Sequence, residues 1–220
     1  YGATGAGKTH TMIGSVDASG LHAPVQEMTG QPGSAQLGTS GPGVMPLALQ
    51  ELFEKVSRSS GERDFRVKCS FLEVYNETLR DLLSPSGSYL DLREDPEKGM
   101  IIHGISEVKG VQSAGEVMAL LLRGNRNRST EPTAANVTSS RSHAVLQVTV
   151  ESQTKGDSSS PWVVGKLSLI DLAGSERASQ TANKGIRLLE GANINRSLLA
   201  LGNCITALAD EACRKTGKSS

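Results

Sequence analysis

The sequence of 220 residues has few aromatic side chains, three cysteines and no excess charge of either sign. Phe, Trp and Tyr make up 3% of the residues, so the core must consist mainly of Leu, Val, Ile and Ala. Lys plus Arg equals Asp plus Glu at 23 each, whereas a generic nucleic-acid binder carries a basic excess. The cysteines lack metal-ligand spacing, which predicts reduced cytosolic thiols. No run approaches about 18 apolar residues, so no membrane partner is expected.

Strand-like and helix-like patterns interleave along the chain, which predicts a single α/β domain. Longer segments are predicted as helices at 46–56, 113–124 and 190–210 and as strands at 65–75, 143–151 and 163–171. We also predict a short helix at 77–83 and a hairpin from strands at 90–93 and 100–108. The strand at 163–171 is expected to be buried. Core positions are predicted in the last helix at Leu198, Leu199, Leu201, Ile205 and Leu208.

Two features suggest an incomplete domain with an insertion. Residues 15–42 are rich in Gly, Ser, Thr, Ala and Pro without apolar periodicity, which predicts a surface-loop insertion. It could tune nucleotide exchange or partner binding, or be disordered decoration. Residue 1 leads directly into a loop motif that a strand should precede, and residues 213–220 are polar. We therefore expect N-terminal strands and C-terminal helices to be missing.

The first motif, Gly2-x-x-x-x-Gly7-Lys8-Thr9, has the spacing of a phosphate-binding loop that opens a helix. Its backbone N–H groups can surround phosphates, Lys8 can reach the β and γ phosphates, and the Thr9 hydroxyl can bind Mg²⁺. The alternative is a flexible glycine loop before an ordinary helix. Nucleotide binding is assigned to the whole segment: Gly2, Ala3, Thr4, Gly5, Ala6, Gly7, Lys8, Thr9 and His10.

Two later motifs suit the other parts of a nucleotide switch. Asp171 closes an apolar strand and begins Asp-Leu-Ala-Gly174, in which the carboxylate would hold Mg²⁺ through water and the Gly174 N–H would meet the γ-phosphate. Ser139 and Ser140 offer adjacent hydroxyls to the metal and the γ-phosphate, and Arg141 offers a planar fork to a carboxylate. The alternatives are a tight turn at a strand end and a polar loop before a strand.

The three motifs together resemble those of kinesin motor domains. The matching strings are Tyr1-Gly-Ala-Thr-Gly-Ala-Gly-Lys-Thr-His-Thr-Met12, Asn136-x-x-Ser-Ser-Arg-Ser-His143 and Asp171-Leu-Ala-Gly-Ser-Glu176. The segment 194–203 resembles the helix that packs on tubulin in that family. The amino-acid sequences at 177–179 and 190–196 look closest to those of the kinesin-8 subfamily. The resemblance implies a central mixed β-sheet flanked by helices, truncated here at both ends.

The resemblance also implies a mechanism. ATP and Mg²⁺ are the expected cofactors, with Thr9, Ser140 and Asp171 serving the metal. Arg141 and Glu176 would form a salt bridge that latches the two switch loops, and Glu176 would organise the attacking water and take its proton. The latch pair could instead be an ordinary surface ion pair. His10 and His143 could act as bases, or be structural.

The implied partner is the microtubule, through the 90–108 hairpin and a basic segment downstream of the second switch. That segment contains Arg177, Lys184, Arg187, Arg196, Arg214, Lys215 and Lys218 against Glu190, Asp210 and Glu211. The parent protein is expected to be a cytoplasmic, microtubule-associated motor or end depolymerase, dimeric through a coiled coil outside this chain. The rival interpretation is a truncated, non-catalytic product that binds nucleotide or tubulin.

Overall fold

The computed structural model describes residues 2–3, 5–14, 41–84, 88–97, 99–129, 141–175 and 186–215. These residues form an α/β fold, as predicted. The helices are α1 (Lys8–Ile13), α2 (Val44–Ser59), α3 (Ala114–Ser129) and α4 (Ile186–Lys215). The strands are β1 (Arg63–Tyr75), β2 (Thr78–Asp81), β3 (Tyr89–Asp95), β4 (Gly99–His103), β5 (Val108–Lys109), β6 (His143–Thr154) and β7 (Val163–Asp171).

The strands form one sheet in the order β4-β3-β2-β1-β6-β7, with β5 pairing to β1. Every pairing between these strands is antiparallel. In register, Val74 of β1 lies opposite His143, and Asp171 of β7 lies opposite Ala144. The end of β1, the start of β6 and the end of β7 therefore meet at one edge of the sheet, where the candidate site lies.

Helices α2 and α3 cover the sheet with the main core cluster, which includes Leu49 of α2, Val117 and Leu121 of α3, and Phe71 and Leu146 of the sheet. All five side chains are almost fully buried. Complete burial of an aliphatic side chain of this size contributes about 1.5–3 kcal/mol. This cluster fixes the height of both helices above the sheet.

Helix α3 extends past Gly124, where the sequence predicted its end. Ser113 Oγ accepts a hydrogen bond from Glu116 N (3.2 Å), and the Glu116 carboxylate accepts one from Gln112 N (3.0 Å), so the start is capped much as predicted. A Cβ on Gly124 would lie 2.3 Å from Cδ1 of Phe71. The glycine therefore allows close packing of helix on sheet and does not end the helix. The additional turn carries Arg128 into the site.

The prediction of a helix at 77–83 is wrong, because residues 78–81 form strand β2. Asn76 and Glu77 have φ values of 48° and 64° and connect β1 to β2 as a two-residue hairpin turn, with Tyr75 opposite Thr78. Buried Asp81 accepts hydrogen bonds from the N–H groups of Leu83 (2.8 Å) and Ser106 (2.7 Å). The sheet overrides the helical preference of this segment.

Two predictions of burial also fail. Strand β7 is mostly exposed: Leu169 is buried, but Val163, Val164 and Ile170 are not. In α4, Leu198 is buried and Leu201 half-buried, whereas Leu199, Ile205 and Leu208 are 59–67% exposed. Periodicity correctly predicted a strand at β7 and a helix at α4. It could not show which faces of these two elements the other described residues leave exposed. No helix among the described residues is long and apolar enough to cross a lipid bilayer.

Helices α1 and α2 meet through two glycines. Gly43 N donates to Ile13 O (3.3 Å), and Gly14 forms an isolated antiparallel bridge with Pro42. A Cβ on Gly14 would lie 2.4 Å from Gly43 N, so neither backbone leaves room for a side chain here. Of the predicted 15–42 insertion, residues 15–40 lie outside the described part of the chain.

Candidate functional site

The loop before α1 is shaped by two glycines in the left-handed region. Gly5 and Gly7 have φ values of 82° and 80°, a conformation that favours glycine. Gly7 is the N-cap of α1 and provides no side-chain cap, so the first amides of the helix have no side-chain acceptor at that position. Amides at such a turn are available to an anion.

The amine of Lys8 lies folded over this loop. Lys8 Nζ donates to the carbonyl oxygens of Gly2 (2.7 Å) and Ala3 (2.8 Å). Ala3 O also accepts from Ala6 N (3.1 Å), which closes the loop. The ammonium group is thus held at the mouth of the loop, where it can exchange carbonyl oxygens for phosphate oxygens.

The loop after β7 is joined to the phosphate loop. Thr9 Oγ1 donates to Asp171 Oδ2 (3.0 Å), although the two residues are 162 positions apart. Ser175 N donates to Gly2 O (3.0 Å). Gly174, between these contacts, is buried. The structure therefore brings together three of the assigned elements: the loop, the Thr9 hydroxyl and the segment from Asp171 to Gly174.

A buried charged cluster lies behind Asp171. Arg128 Nη1 donates to Asp171 Oδ2 (3.1 Å), and Arg128 Nε lies 3.5 Å from Glu73 Oε1. The side chains of Glu73, Arg128 and Asp171 are at most 4% exposed. Burying a carboxylate costs several kcal/mol unless it is paired. Arg128 offsets this cost for both Glu73 and Asp171 because it pairs with each of them.

The same guanidinium also fixes the start of β6. Arg128 Nε donates to Ser142 Oγ (3.0 Å) and Nη2 donates to Ser142 O (2.6 Å), and Ser142 is fully buried. Arg141, immediately before it, is half-buried. One planar fork thus connects the end of the predicted first switch segment with the strand-end carboxylate.

His143 lies between the predicted second switch segment, which begins at Asp171, and α4. Its Nδ1 accepts from Ala173 N (3.1 Å), and its Nε2 is 2.8 Å from Ser197 Oγ. Burial lowers the pKa of His143 below its usual value; Arg128 lowers it further, and Asp171 acts in the opposite direction. These contacts suit the structural alternative for His143 better than a role as a base. His10, by contrast, is exposed on α1.

Several predicted site residues lie outside the described part of the chain: Thr4, Ser139, Ser140 and Glu176. Their roles, and the Arg141–Glu176 latch, stay predictions. Of the predicted basic segment, Arg196 and Arg214 are exposed on α4. Arg177, Lys184 and Lys218 lie outside the described residues.

Sequence reasoning missed Glu73 and Arg128. Glu73 stands among apolar residues in a predicted strand, and an acid inside a buried strand is itself a signal that it has a partner. Arg128 lies beyond Gly124, the predicted end of α3, and belongs to none of the three sequence motifs. Recognising that Gly124 faces Phe71 would have required tertiary information.

The donor set fits a hydrated magnesium ion next to a nucleotide. Asp171 Oδ1 is buried and has no hydrogen-bond partner among the described residues, so it can accept from a metal-bound water. The Thr9 hydroxyl, 3.0 Å from Oδ2 of the same carboxylate, can bind the metal directly. Hydroxyl, carboxylate and phosphate oxygens are the ligands that Mg²⁺ prefers.

Fold and site thus define a nucleotide-binding α/β protein of the phosphate-loop class. The family model that describes the kinesin motor domain matches residues 1–218. The chain is 49% identical to human Kinesin-like protein KIF19 over 216 residues, and 53% identical to Kinesin-like protein KIN-8A of Arabidopsis thaliana over 212 residues. These matches cover 98% and 96% of the chain, but 19% and 26% of the relatives.

A solved structure agrees with these matches. The KIF14 dimer, in a two-heads-bound state with AMP-PNP and in complex with a microtubule, superposes with a TM-score of 0.72 at 33% identity. The match covers 100% of this chain and 56% of that one. The chain belongs to the kinesin motor-domain family, and its relatives place it in the kinesin-8 branch. It spans about a fifth to a quarter of the curated relatives described.

Proposed function

We propose that the protein carrying this chain hydrolyses Mg-ATP and couples that reaction to binding and moving on microtubules or depolymerising their ends. The observation that carries the proposal is the junction at Asp171 and Ser175. Through it the phosphate loop contacts the segment that would sense the γ-phosphate, at Thr9–Asp171 (3.0 Å) and Gly2–Ser175 (3.0 Å). A change in one loop therefore has a direct mechanical route to the other.

Catalysis by these residues would be positional and electrostatic. Lys8 would leave the carbonyls of Gly2 and Ala3 for the β and γ phosphates. When bound, Mg²⁺ would neutralise charge on those phosphates. Thr9, Ser140 and Asp171 would hold it, the last through water.

The switch residues would complete the reaction. Ser139 and Ser140 would close over the γ-phosphate, whose oxygen would also accept from the Gly174 N–H. Glu176 would orient the attacking water and take its proton, while its pairing with Arg141 would hold both switches closed. Two loops that each contact the γ-phosphate can be latched by one charged pair that forms only when both close.

Tubulin binding is proposed for the exposed basic residues of α4 and for the β3–β4 hairpin. Arg196 and Arg214 are exposed on α4, directly downstream of the second switch. The solved relative was determined in complex with a microtubule. Dimerisation through a coiled coil and residence on the microtubule cytoskeleton are further parts of this proposal.

The test is steady-state ATP turnover by the full-length protein, with and without microtubules. We expect microtubule-stimulated turnover, and a loss of at least about 100-fold in Lys8→Ala, because an ammonium that stabilises developing charge is removed. The matched control is Lys55→Ala, since Lys55 is 70% exposed and pairs only with Glu51 among the contacts described for it. Absence of stimulation in the unmodified protein would contradict the proposal.

A second candidate concerns the 220-residue chain by itself: binding of nucleotide or tubulin without turnover. Strand β7 pairs only with β6 among the described strands, and Val163 and Val164 are more than half exposed. The same assay on residues 1–220 alone is expected to show little turnover. Cooperative unfolding together with stimulated turnover would remove this candidate.

A further inference from the structure

The imidazole of His143 contacts two elements that must communicate in a motor. Its Nδ1 accepts from Ala173 N (3.1 Å), which lies immediately before Gly174. Its Nε2 lies 2.8 Å from the hydroxyl of Ser197 in α4. The hydrogen bond from Ala173 N is buried, and the contact with Ser197 Oγ is partly buried.

The donor and acceptor pattern assigns one tautomer to this ring. A backbone N–H can only donate, so Nδ1 must carry the lone pair and the proton resides on Nε2. Nε2–H then donates to Ser197 Oγ, and the Ser197 hydroxyl donates in turn to Ile194 O (2.7 Å). The result is a directional chain of three hydrogen bonds from the backbone of the second switch to the backbone of α4.

A second contact holds the same face of α4. Asn193 Nδ2 donates to Asn76 Oδ1 (2.8 Å) in the β1–β2 turn. Asn193 and Ser197 are four residues apart, so they lie one helical turn apart on one face. The Asn pair is exposed and joins α4 to the β1–β2 hairpin, whereas the His143 contact joins α4 to the loop that would respond to nucleotide.

We propose that His143 is a positioning residue that transmits the state of the 171–174 loop to α4, through Ala173 N on one side and Ser197 Oγ on the other. The inference rests on the proposed function, and names the route by which γ-phosphate sensing changes affinity for the track. Movement of Gly174 toward a phosphate displaces Ala173, and the imidazole passes that displacement to the start of the exposed part of α4.

The test measures coupling in the full-length protein: the ratio of microtubule dissociation constants in ADP and in a non-hydrolysable ATP analogue. Ser197→Ala is expected to bring this ratio closer to one by about fivefold, the size of one hydrogen bond. Ser197→Thr should restore it. Thr206→Ala is the matched control, because Thr206 Oγ1 donates to Gly202 O (3.0 Å) on the same helix and its loss removes only a helix-internal bond.

A double-mutant cycle tests the route itself. His143→Asn keeps an acceptor near Ala173 N but removes the group that reaches Ser197, so it should match Ser197→Ala, and the double variant should show no further loss. Independent effects of the two changes, or an unaltered ratio in Ser197→Ala, would overturn the inference while leaving the motor function intact. A ratio of one in the unmodified protein would overturn both.

A spectroscopic readout is independent of motor activity. In protein labelled with ¹⁵N-histidine, the imidazole of His143 is expected to show the Nε2–H tautomer in the wild type and in Thr206→Ala. The Nδ1–H tautomer would overturn the inference, because Nδ1 could not then accept from Ala173.

Discussion

The buried cluster around Arg128 and the ion pairs on α2 are built from the same chemical groups in opposite environments. In the cluster, Arg128 contacts Asp171 and Glu73 with side chains at most 4% exposed. On α2, Arg58 pairs with Glu54 at 2.8 Å, with side chains 71% and 57% exposed. The donor–acceptor distances are similar, so distance alone does not rank their energetic importance.

What differs is the consequence of losing a partner. Water solvates Glu54 as soon as Arg58 leaves, and exposed pairs contribute about 0–1 kcal/mol. Glu73 and Asp171 have no such replacement, since each already has one buried oxygen without a hydrogen-bond partner among the described residues. The comparison indicates that the buried charged groups around Arg128 depend on one another for their stability, whereas the exposed pairs on α2 contribute little.

The largest effect is expected for Arg128→Ala, which leaves two carboxylates buried without their cation. We expect the free energy of unfolding to fall by about 3–5 kcal/mol. Urea unfolding followed by circular dichroism, on the full-length protein, measures this. Adding Glu73→Gln should recover part of the loss because one buried charge disappears. A cost for Arg128→Ala no greater than that of Arg58→Ala would contradict the distinction between the two environments.

An intermediate effect is expected for Lys68→Met, which breaks the hydrogen-bonded ion pair of Lys68 with Glu151 across β1 and β6. The side chains are 25% and 19% exposed, and the loss should be about 1 kcal/mol in urea unfolding. The hydrogen bond to Glu151 raises the pKa of Lys68. A raised folded-state pKa means that this stabilisation is complete below the ordinary lysine pKa and is lost only as pH rises through the folded value. The difference between variant and wild type should therefore be constant from pH 6 to about 9; a decline within that window would exclude the assignment.

The smallest effect is expected for Arg58→Ala. An i,i+4 pair on an exposed helix contributes about 0.2–0.5 kcal/mol, and ions screen it over about 3 Å at 1 M salt. Unfolding of this variant should differ from wild type by no more than that at low salt and become indistinguishable at 1 M NaCl. A larger, salt-resistant loss would show that exposure is a poor guide to these energies.

The sequence predicted best where function depends on consecutive residues. Lys8, Thr9, Asp171 and Gly174 belong to short motifs, and the resemblance to the kinesin family followed from these motifs. The α/β fold followed from the interleaved strand-like and helix-like patterns. Elements whose structure depends on contacts with distant residues were harder to predict from the sequence. The segment 77–83 has helical preference, yet positive φ at Asn76 and Glu77 turns it back as a strand.

Arg128 shows the same limit within the site. Arg128 belongs to no sequence motif. It reaches the site because α3 packs closely on Phe71 at Gly124 and continues beyond that glycine. Likewise, the leucines of α4 have core periodicity, but in the structure Leu199 and Leu208 are about two-thirds exposed. The local hydrophobic pattern identifies a helix, but the burial of each face depends on the tertiary packing around it.

The contact between Gly14 and Gly43 has a consequence for replacing the segment that joins them. A Cβ on either glycine would lie within 2.5 Å of the other residue's backbone. The two ends of any loop that joins these glycines are therefore close together. Closing such an excursion becomes only about 0.6 kcal/mol harder with each doubling of its length. We therefore expect that a tag or sensor peptide can replace the segment between Gly14 and Gly43 at little cost in stability, because this junction fixes both of its ends.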